Sequence, residues 1–337
     1  MLESTWFFLW GILWAIYFVL DGFDLGIGTL LPFVAKNEKE KRIVLNSMGP
    51  FWDGNEVWLI TVGGVTFAAF PNMYATMFSA LYTPLMFILF GLILRGVTFE
   101  FRGQIDRPWW RTMWDVCMVV GSVVPAFLFG VAFANIFSGI PIDGEGVYQG
   151  SVFTLLNAYG LICGILFLFL FLVHGSIWLA IKTEGALQAR VSALAANQWT
   201  LLLVVAVIFL VATGSATELY ANYLNNLVLF LIPGAAVVGM LLTRVYIGKR
   251  AWWKAWFFSA SAIAGCTMFG VTGLYPNMLP SSLDPAFSVT VSSAASSALT
   301  LKIMLAVALI FVPIVIAYQA WVYHLFRHKV RKEDIVY

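Results

Sequence analysis

Residues 152–180 read VFTLLNAYGLICGILFLFLFLVHGSIWLA, and these 29 consecutive positions contain no Asp, Glu, Lys or Arg. A helix that crosses a bilayer needs about 20 predominantly apolar residues. The stretch is therefore long and apolar enough to span a membrane.

The whole chain has the same character as this stretch. Of its 337 residues, 61% are hydrophobic and only 11% are charged, whereas soluble domains are about half apolar and about a quarter charged. The composition predicts a polytopic integral membrane protein, and a net charge of +2 indicates no nucleic-acid partner. The first apolar run follows MLEST, without a basic n-region or a small-residue cleavage site, so we interpret it as a retained helix rather than a signal peptide.

Nine apolar segments are candidates for membrane-spanning helices, and short polar stretches separate them. We therefore predict an all-α fold in which residues 1–337 form a single integral membrane domain of nine transmembrane helices in helical bundles. The predicted spans are about 6–34, 52–70, 75–97, 113–136, 152–180, 199–217, 225–246, 254–275 and 300–325.

The basic residues set the orientation of these spans. Of the 19 Lys and Arg residues, 18 fall in alternate connections or in the tail, and only Lys302 does not. Basic residues concentrate on the cytoplasmic side of membrane proteins, so we predict an amino terminus outside and a carboxyl terminus in the cytoplasm. The basic segments are KNEKEKR (36–42), Arg95 with EFRGQIDRPWWR (100–111), KTEGALQAR (182–190), RVYIGKRAWWK (244–254) and FRHKVRKED (326–334).

Four carboxylates interrupt the first two spans. Asp21 and Asp24 lie about 15 residues into the first span, and Asp53 and Glu56 lie early in the second. Residues three apart share one face of a helix, and helices joined by a short loop are usually neighbours, so all four acids could face one another. Ionisable residues inside a membrane are candidates for function.

Structural interpretations of the same residues remain open. Asp53 and Glu56 could be first-turn acids, which are favourable at a helix amino terminus. A cation, either Lys302 or Arg95, could pair with the acids. Gly22 and Gly26 have the small-xxx-small spacing of packed helices, which we favour over a phosphate-binding role.

Histidine and cysteine restrict the cofactors that this chain could hold. Only His174, of the three histidines, lies well inside a predicted span, and we interpret it as hydrogen-bonded to a neighbouring helix. The three cysteines lie in apolar runs without a C-x-x-C pair, so neither a disulfide framework nor a thiolate metal site is predicted. We expect no haem and no metal to be bound by this chain alone.

Several motifs together resemble a known family, subunit II of the bacterial cytochrome bd-type quinol oxidases, and the similarity runs nearly end to end. Residues 140–230 are the least distinctive part. The motifs are DGFDLGIG (21–28), PFWDGNEVWLITVGGVTFAAFP (50–71), RGVTFEFR (95–102), LYPNMLPSS (274–282), TLKIMLAVALIFVPIVIAYQAW (300–321) and KEDI (332–335).

The resemblance implies a multi-pass subunit in the bacterial cytoplasmic membrane. The complex would oxidise quinol and reduce dioxygen to water. The family places haem b and haem d on subunit I, so no catalytic residue is expected here. Subunit I would be the heterodimer partner, and small extra subunits could join the complex. The family's proton-conducting acids correspond to Asp53 and, less directly, to Asp21 and Asp24.

Two other functions are compatible with the same acids. A proton-coupled secondary transporter needs embedded carboxylates, but no pair of Gly/Pro-broken helices marks a midplane site. A structural membrane subunit would use the acids only for packing. We expect instead a cytoplasmic proton inlet that starts at Asp53, with Asp21 and Asp24 as relays and Glu56 beside them.

Overall fold

The computed structural model describes residues 1–330, and most of them are α-helical. Arg331, Lys332 and the KEDI motif lie outside the described residues. A short antiparallel pair, β1 (Asn277–Leu279) with β2 (Val289–Thr290), lies in the last long connection. The α-helices are α1 (Leu2–Val34), α2 (Glu38–Met48), α3 (Trp52–Ala69), α4 (Pro71–Ala80), α5 (Tyr82–Phe101), α6 (Pro108–Ser138), α7 (Ala158–Lys182), α8 (Gly185–Ala216), α9 (Tyr220–Asn225), α10 (Leu231–Gly248), α11 (Trp252–Leu274), α12 (Val291–Ala294) and α13 (Ala298–Leu325).

Eight helices in the described part of the chain are long and apolar enough to cross a membrane: α1, α5, α6, α7, α8, α10 with the turn before it, α11 and α13. The polytopic helical membrane fold is therefore confirmed. The predicted second span, 52–70, is a helix too, α3. Its polar start, WDGNE, keeps its mean hydropathy below that of the eight, so it is not one of them.

Two predicted segments differ in the structure. The predicted span 75–97 is two helices, α4 and α5, which meet at Leu81. Pro84 explains the break, because a proline ring clashes with the carbonyl four residues earlier. The polar loop predicted around KNEKEKR contains a helix, α2, whose N-cap Asn37 accepts a hydrogen bond from the backbone N–H of Glu40 at 3.0 Å.

Helix α1 is the centre of the molecule and packs against α3, α6, α7 and α11. Its glycines allow a close approach to α7. A Cβ on Gly22 would lie 2.6 Å from the Phe171 ring, and a Cβ on Gly26 would overlap the Phe171 carbonyl oxygen. The small-residue spacing is therefore a packing device, as the sequence predicted.

Ion pairs join α2 to the turn between α5 and α6 and to the start of α8, and we call this end of the molecule the basic end. Arg102 is 2.7 Å from Glu38 and 2.7 Å from Asp115. Arg190 is 2.5 Å from Glu40. These contacts hold α2 against the ends of the longer helices.

The connections at the opposite end contact one another through backbone hydrogen bonds. The N–H of Ile140 donates to Pro280 O at 3.1 Å, and the N–H of Ser296 donates to Ala69 O at 2.8 Å. Asp143 accepts the N–H of Val147 at 3.0 Å, and this bond lowers the pKa of its carboxyl below the usual aspartate value. The loops therefore form a connected layer.

Helix α13 differs from the other long helices because it is almost unpacked. Only Leu301 of its residues is buried, and the helix contacts α1 and α3 sparsely. Large apolar side chains such as Phe311 and Trp321 are 58% and 59% exposed.

Candidate functional site

The predicted acids of α1 and α3 meet an arginine of α5 inside the helix bundle. Arg95 Nη2 lies 2.7 Å from Asp21 Oδ1 and 3.2 Å from Glu56 Oε2. Both Arg95 and Asp21 have fully buried side chains, whereas the Glu56 side chain is 22% exposed. A buried charge needs a partner of opposite sign, and Arg95 is that partner for two acids on two helices.

Asp24 lies one turn nearer the basic end and has a neutral partner. The Asn55 side-chain N–H group donates to Asp24 Oδ2 at 2.7 Å. The Tyr323 hydroxyl on α13 donates to Asn55 Oδ1 at 2.8 Å. The asparagine therefore links an acid of α1 to α13, and both Asp24 and Asn55 are fully buried.

Asp53 occupies the first turn of α3, one turn before Glu56, and its side chain is exposed. The structure thus pairs Asp21 and Glu56 with Arg95 and, one turn away, Asp24 with Asn55, and it leaves Asp53 outside this cluster. Exposure decreases from Asp53 through the partly exposed Glu56 to Asp21. The two acids of α3 share a helix face, so Asp53 marks the open side of the cluster.

Several polar atoms of the cluster have no hydrogen-bond partner among the described residues. They are Asp21 Oδ2, Asp24 Oδ1 and two nitrogens of Arg95, Nε and Nη1. Buried polar groups are nearly always hydrogen-bonded to protein or water. The two carboxylate oxygens can accept a proton or a hydrogen bond from water, and the two Arg95 N–H groups can donate to water.

The structure decides between the two cations that the sequence offered. Arg95, counted above as a residue of a cytoplasmic connection, lies within α5 and pairs with the acids. Lys302 is exposed near the start of α13 and makes no ion pair with a described residue. The assignment of Arg95 to a cytoplasmic connection was therefore wrong, and Glu56 is an ion-paired acid of the bundle and not a simple first-turn acid.

His174 is a bridge between helices. Its Nδ1 lies 2.6 Å from Ser259 Oγ on α11, and its Nε2 lies 3.0 Å from Val19 O on α1. The predicted hydrogen bond to a neighbouring helix is confirmed. Because both ring nitrogens are engaged, this side chain does not fit an axial haem ligand. In residues 1–330, no group of three or more His, Cys, Asp or Glu side chains could hold a metal ion.

The hydrogen bonds of α13 to the start of α3 were not predicted from the sequence. Gln319 donates to Gly54 O at 2.6 Å and accepts from Trp58 Nε1 at 2.8 Å, and Tyr323 reaches Asn55 one turn later. The only signal was the spacing of two polar residues, four apart on one face of an apolar helix. Together they attach α13 to the start of α3, next to Asp53.

Comparison with known proteins identifies the family of this chain. The chain is 37% identical to a probable cytochrome oxidase subunit 2 of Haemophilus influenzae, with 94% of this chain and 93% of that protein covered. It is 35% identical to the cytochrome bd ubiquinol oxidase subunit 2 of Bacillus subtilis, with 100% and 99% covered. It is 36% identical to the cytochrome bd-I ubiquinol oxidase subunit 2 of Escherichia coli K12, with 99% and 97% covered.

A solved structure has the same fold. A chain of the bd oxidase from Geobacillus thermodenitrificans matches with a TM-score of 0.77 at 15% identity, covering 96% of this chain and 98% of that one. The model of the family described as cytochrome bd terminal oxidase subunit II matches residues 2–326. This chain therefore belongs to the family of cytochrome bd terminal oxidase subunit II.

Proposed function

We propose that this chain is the haem-free subunit II of a quinol:oxygen oxidoreductase in the bacterial cytoplasmic membrane, and that it supplies protons to the complex from the cytoplasm. Family membership supports the enzyme class and the membrane location. Reduction of dioxygen to water consumes protons, and the hydrocarbon core of a bilayer offers them no polar path. The buried acids are the feature of this chain that answers that need.

The decrease in side-chain exposure from Asp53 to Asp24 is the observation that supports the proton inlet. Asp53 is open at the start of α3, Glu56 is partly buried one turn further, and Asp21 and Asp24 are fully buried. Arg95 offsets one of the negative charges that Asp21 and Glu56 place in the bundle. The unpartnered oxygens of Asp21 and Asp24 are sites from which a proton can be passed on, since carboxyl groups are effective proton carriers.

The same side of the molecule offers a surface for the haem-bearing subunit I. Helix α13 exposes nearly all its side chains, and α3 adds exposed Val57, Ile60 and Phe67. Asp53 lies on this α3–α13 surface. Subunit I packed here would shield Asp53 from lipid, which solvates a charged carboxylate poorly. Subunit I would also carry haem b and haem d, which supply the electron transfer to dioxygen. Any small extra subunits would belong to the same complex.

The predicted topology fits this arrangement. We propose that α3 also crosses the membrane, which brings the number of spans to nine. We propose further that the basic end faces the cytoplasm and that residues 1–337 form one membrane domain. The ion-paired helix α2 then lies on the cytoplasmic surface beside the start of α3. Asp53 is thereby placed where protons enter.

The proposal is tested by steady-state quinol oxidation in the purified complex. Asp53→Asn and Asp24→Asn keep the side-chain volume and remove the titrating group. We expect turnover to fall at least about tenfold, a lower bound beside the roughly 10²–10⁴-fold that positioned acid–base groups contribute, with unchanged haem content and subunit stoichiometry. Asp106→Asn, at an 89% exposed acid of the basic end, is the matched control. Full activity in both test variants would leave the acids with a packing role only.

A further inference from the structure

A second cluster of charge lies at the basic end, away from the acids, where α10 turns into α11. It consists of four cations within eleven residues: Arg244, Lys249, Arg250 and Lys254. None of them forms a salt bridge with a described residue, whereas Lys41, Arg102 and Arg190 at the same end are all ion-paired. Four like charges without a counter-ion among residues 1–330 make a strongly positive local surface.

Aromatic rings contact three of these cations at the turn. Lys249 and Lys254 lie 5.8 Å and 5.6 Å from the ring of Tyr246. The Arg244 guanidinium lies 6.0 Å from the ring of Trp199, which orients it. Arg250 has a φ of 53°, a left-handed conformation that few residues other than glycine adopt, and it makes the turn tight.

The cleft has a volume of about 260 Å³ and lies between α8 and the end of α10. Small residues of α8, including Ala189 and Ala193, form one wall, and Gly248 lines it on the side of α10. Arg244 and Arg250 line the same cleft. A space walled by small side chains and bordered by two guanidinium groups suits a compact anion, because guanidinium groups bind phosphate with paired hydrogen bonds.

The surroundings of the cleft are those of a membrane surface. Leu241 and Val245 expose 48% and 44% of their area on α10, and Trp253 exposes 44% at the start of α11. Tryptophans are enriched at the level of lipid headgroups. Basic pockets between helices on the cytoplasmic side are sites for anionic headgroups. An apolar face next to an anion-binding cleft matches a molecule with a phosphate and acyl chains.

We propose that the cleft between α8 and the α10–α11 turn binds the phosphate group of an anionic phospholipid from the adjoining leaflet. Arg244 and Arg250 contact the phosphate, while Lys249 and Lys254 add long-range attraction. The acyl chains lie on the exposed face of α10. This site is independent of the proposed proton inlet, so either can fail without the other.

The test is a lipid titration of the purified oxidase complex followed by native mass spectrometry. Phosphatidylglycerol is compared with phosphatidylcholine of the same acyl chains. We expect one phosphatidylglycerol to bind more tightly than any phosphatidylcholine. The Arg244→Gln/Arg250→Gln variant should weaken this binding roughly 30-fold, because each basic residue near an anionic lipid contributes a factor of about five. The control variant Lys39→Gln/Arg107→Gln removes two exposed charges from the basic end outside the cleft. It should change the affinity for phosphatidylglycerol by less than about threefold.

Three outcomes would overturn the site. Equal binding of the two lipids would remove the need for a phosphate-specific cleft, and an equal loss in the control variant would reduce the effect to diffuse attraction. The third outcome is that inorganic phosphate binds the lipid-free complex and displaces phosphatidylglycerol at the same phosphate concentration. That result would indicate a site for a soluble anion. Haem absorbance and size-exclusion elution report assembly. If the double variant does not assemble, Arg250→Gln in the exposed turn is used, with an expected loss of about fivefold.

Discussion

Replacing Arg95 by glutamine tests whether this guanidinium holds the acidic cluster together. Arg95 is fully buried, 2.7 Å from Asp21 and 3.2 Å from Glu56. The variant leaves both carboxylates without their cation, and removing one partner of a buried ion pair costs about 3–5 kcal/mol. Because Glu56 is 22% exposed and water can screen it, most of that cost arises from Asp21. We therefore expect about 3 kcal/mol.

Reversible unfolding of the purified complex in mixed detergent micelles measures this loss as a free energy. The matched control is Arg111→Gln, which removes a cation that is 34% exposed and pairs with Asp106, an 89% exposed acid. Exposed pairs contribute about 0–1 kcal/mol, so the control should stay close to wild type.

A double-mutant cycle with Asp21→Asn separates the ion pair from simple packing. If the pair is coupled, Arg95→Gln/Asp21→Asn should lose at least about 2 kcal/mol less than the sum of the single variants, in line with interaction energies of residues in contact. Additive losses, or an Arg95→Gln variant as stable as Arg111→Gln, would refute the role assigned to Arg95.

Three further predictions concern packing, the histidine and topology. Gly26→Ala places a methyl group against the α7 backbone and should destabilise the protein by about 1–3 kcal/mol, whereas Gly234→Ala in α10, with no neighbouring atom within 4 Å of the added carbon, should be tolerated in the same unfolding assay; equal losses would contradict the close packing. His174→Ala should cost about 1–3 kcal/mol by leaving its partners unpaired while haem absorbance per assembled complex stays constant, and a lost haem band would reveal a ligand. Single cysteines at Asn37 and Asp143, in a background without the native cysteines, should be labelled from opposite sides of the membrane; labelling of both from outside would contradict the topology.

The sequence predicted the long apolar helices well because lipid imposes one simple rule. Backbone groups in a bilayer must be satisfied within the segment, so the apolar run 152–180 corresponds closely to α7. Hydropathy was less informative where a helix is polar or interrupted. Helix α2 was missed because it lies in a charged segment, and the break at Leu81 was missed because the residues on both sides of it are apolar.

The candidate site was predicted in part. Spacing along the helices grouped Asp21 with Asp24 and Asp53 with Glu56, but it could not give the rotation of α3 about its axis. With that rotation set, Glu56 contacts Arg95, whereas Asp53, one turn earlier on the same face, lies beyond the reach of Arg95 and is exposed. The contact of Tyr323 with Asn55 joins residues 268 positions apart, and no local pattern of the sequence contains it.

Proton uptake during oxygen reduction measures whether protons enter the complex at Asp53. The complex is reconstituted into liposomes in one orientation, and a pH-sensitive dye on the side of the basic end reports uptake after reduced enzyme is mixed with oxygen. We predict that Asp53→Asn slows this uptake at least about tenfold, with haem content and subunit assembly equal to wild type. Uptake at the wild-type rate on that side would show that protons do not enter at Asp53.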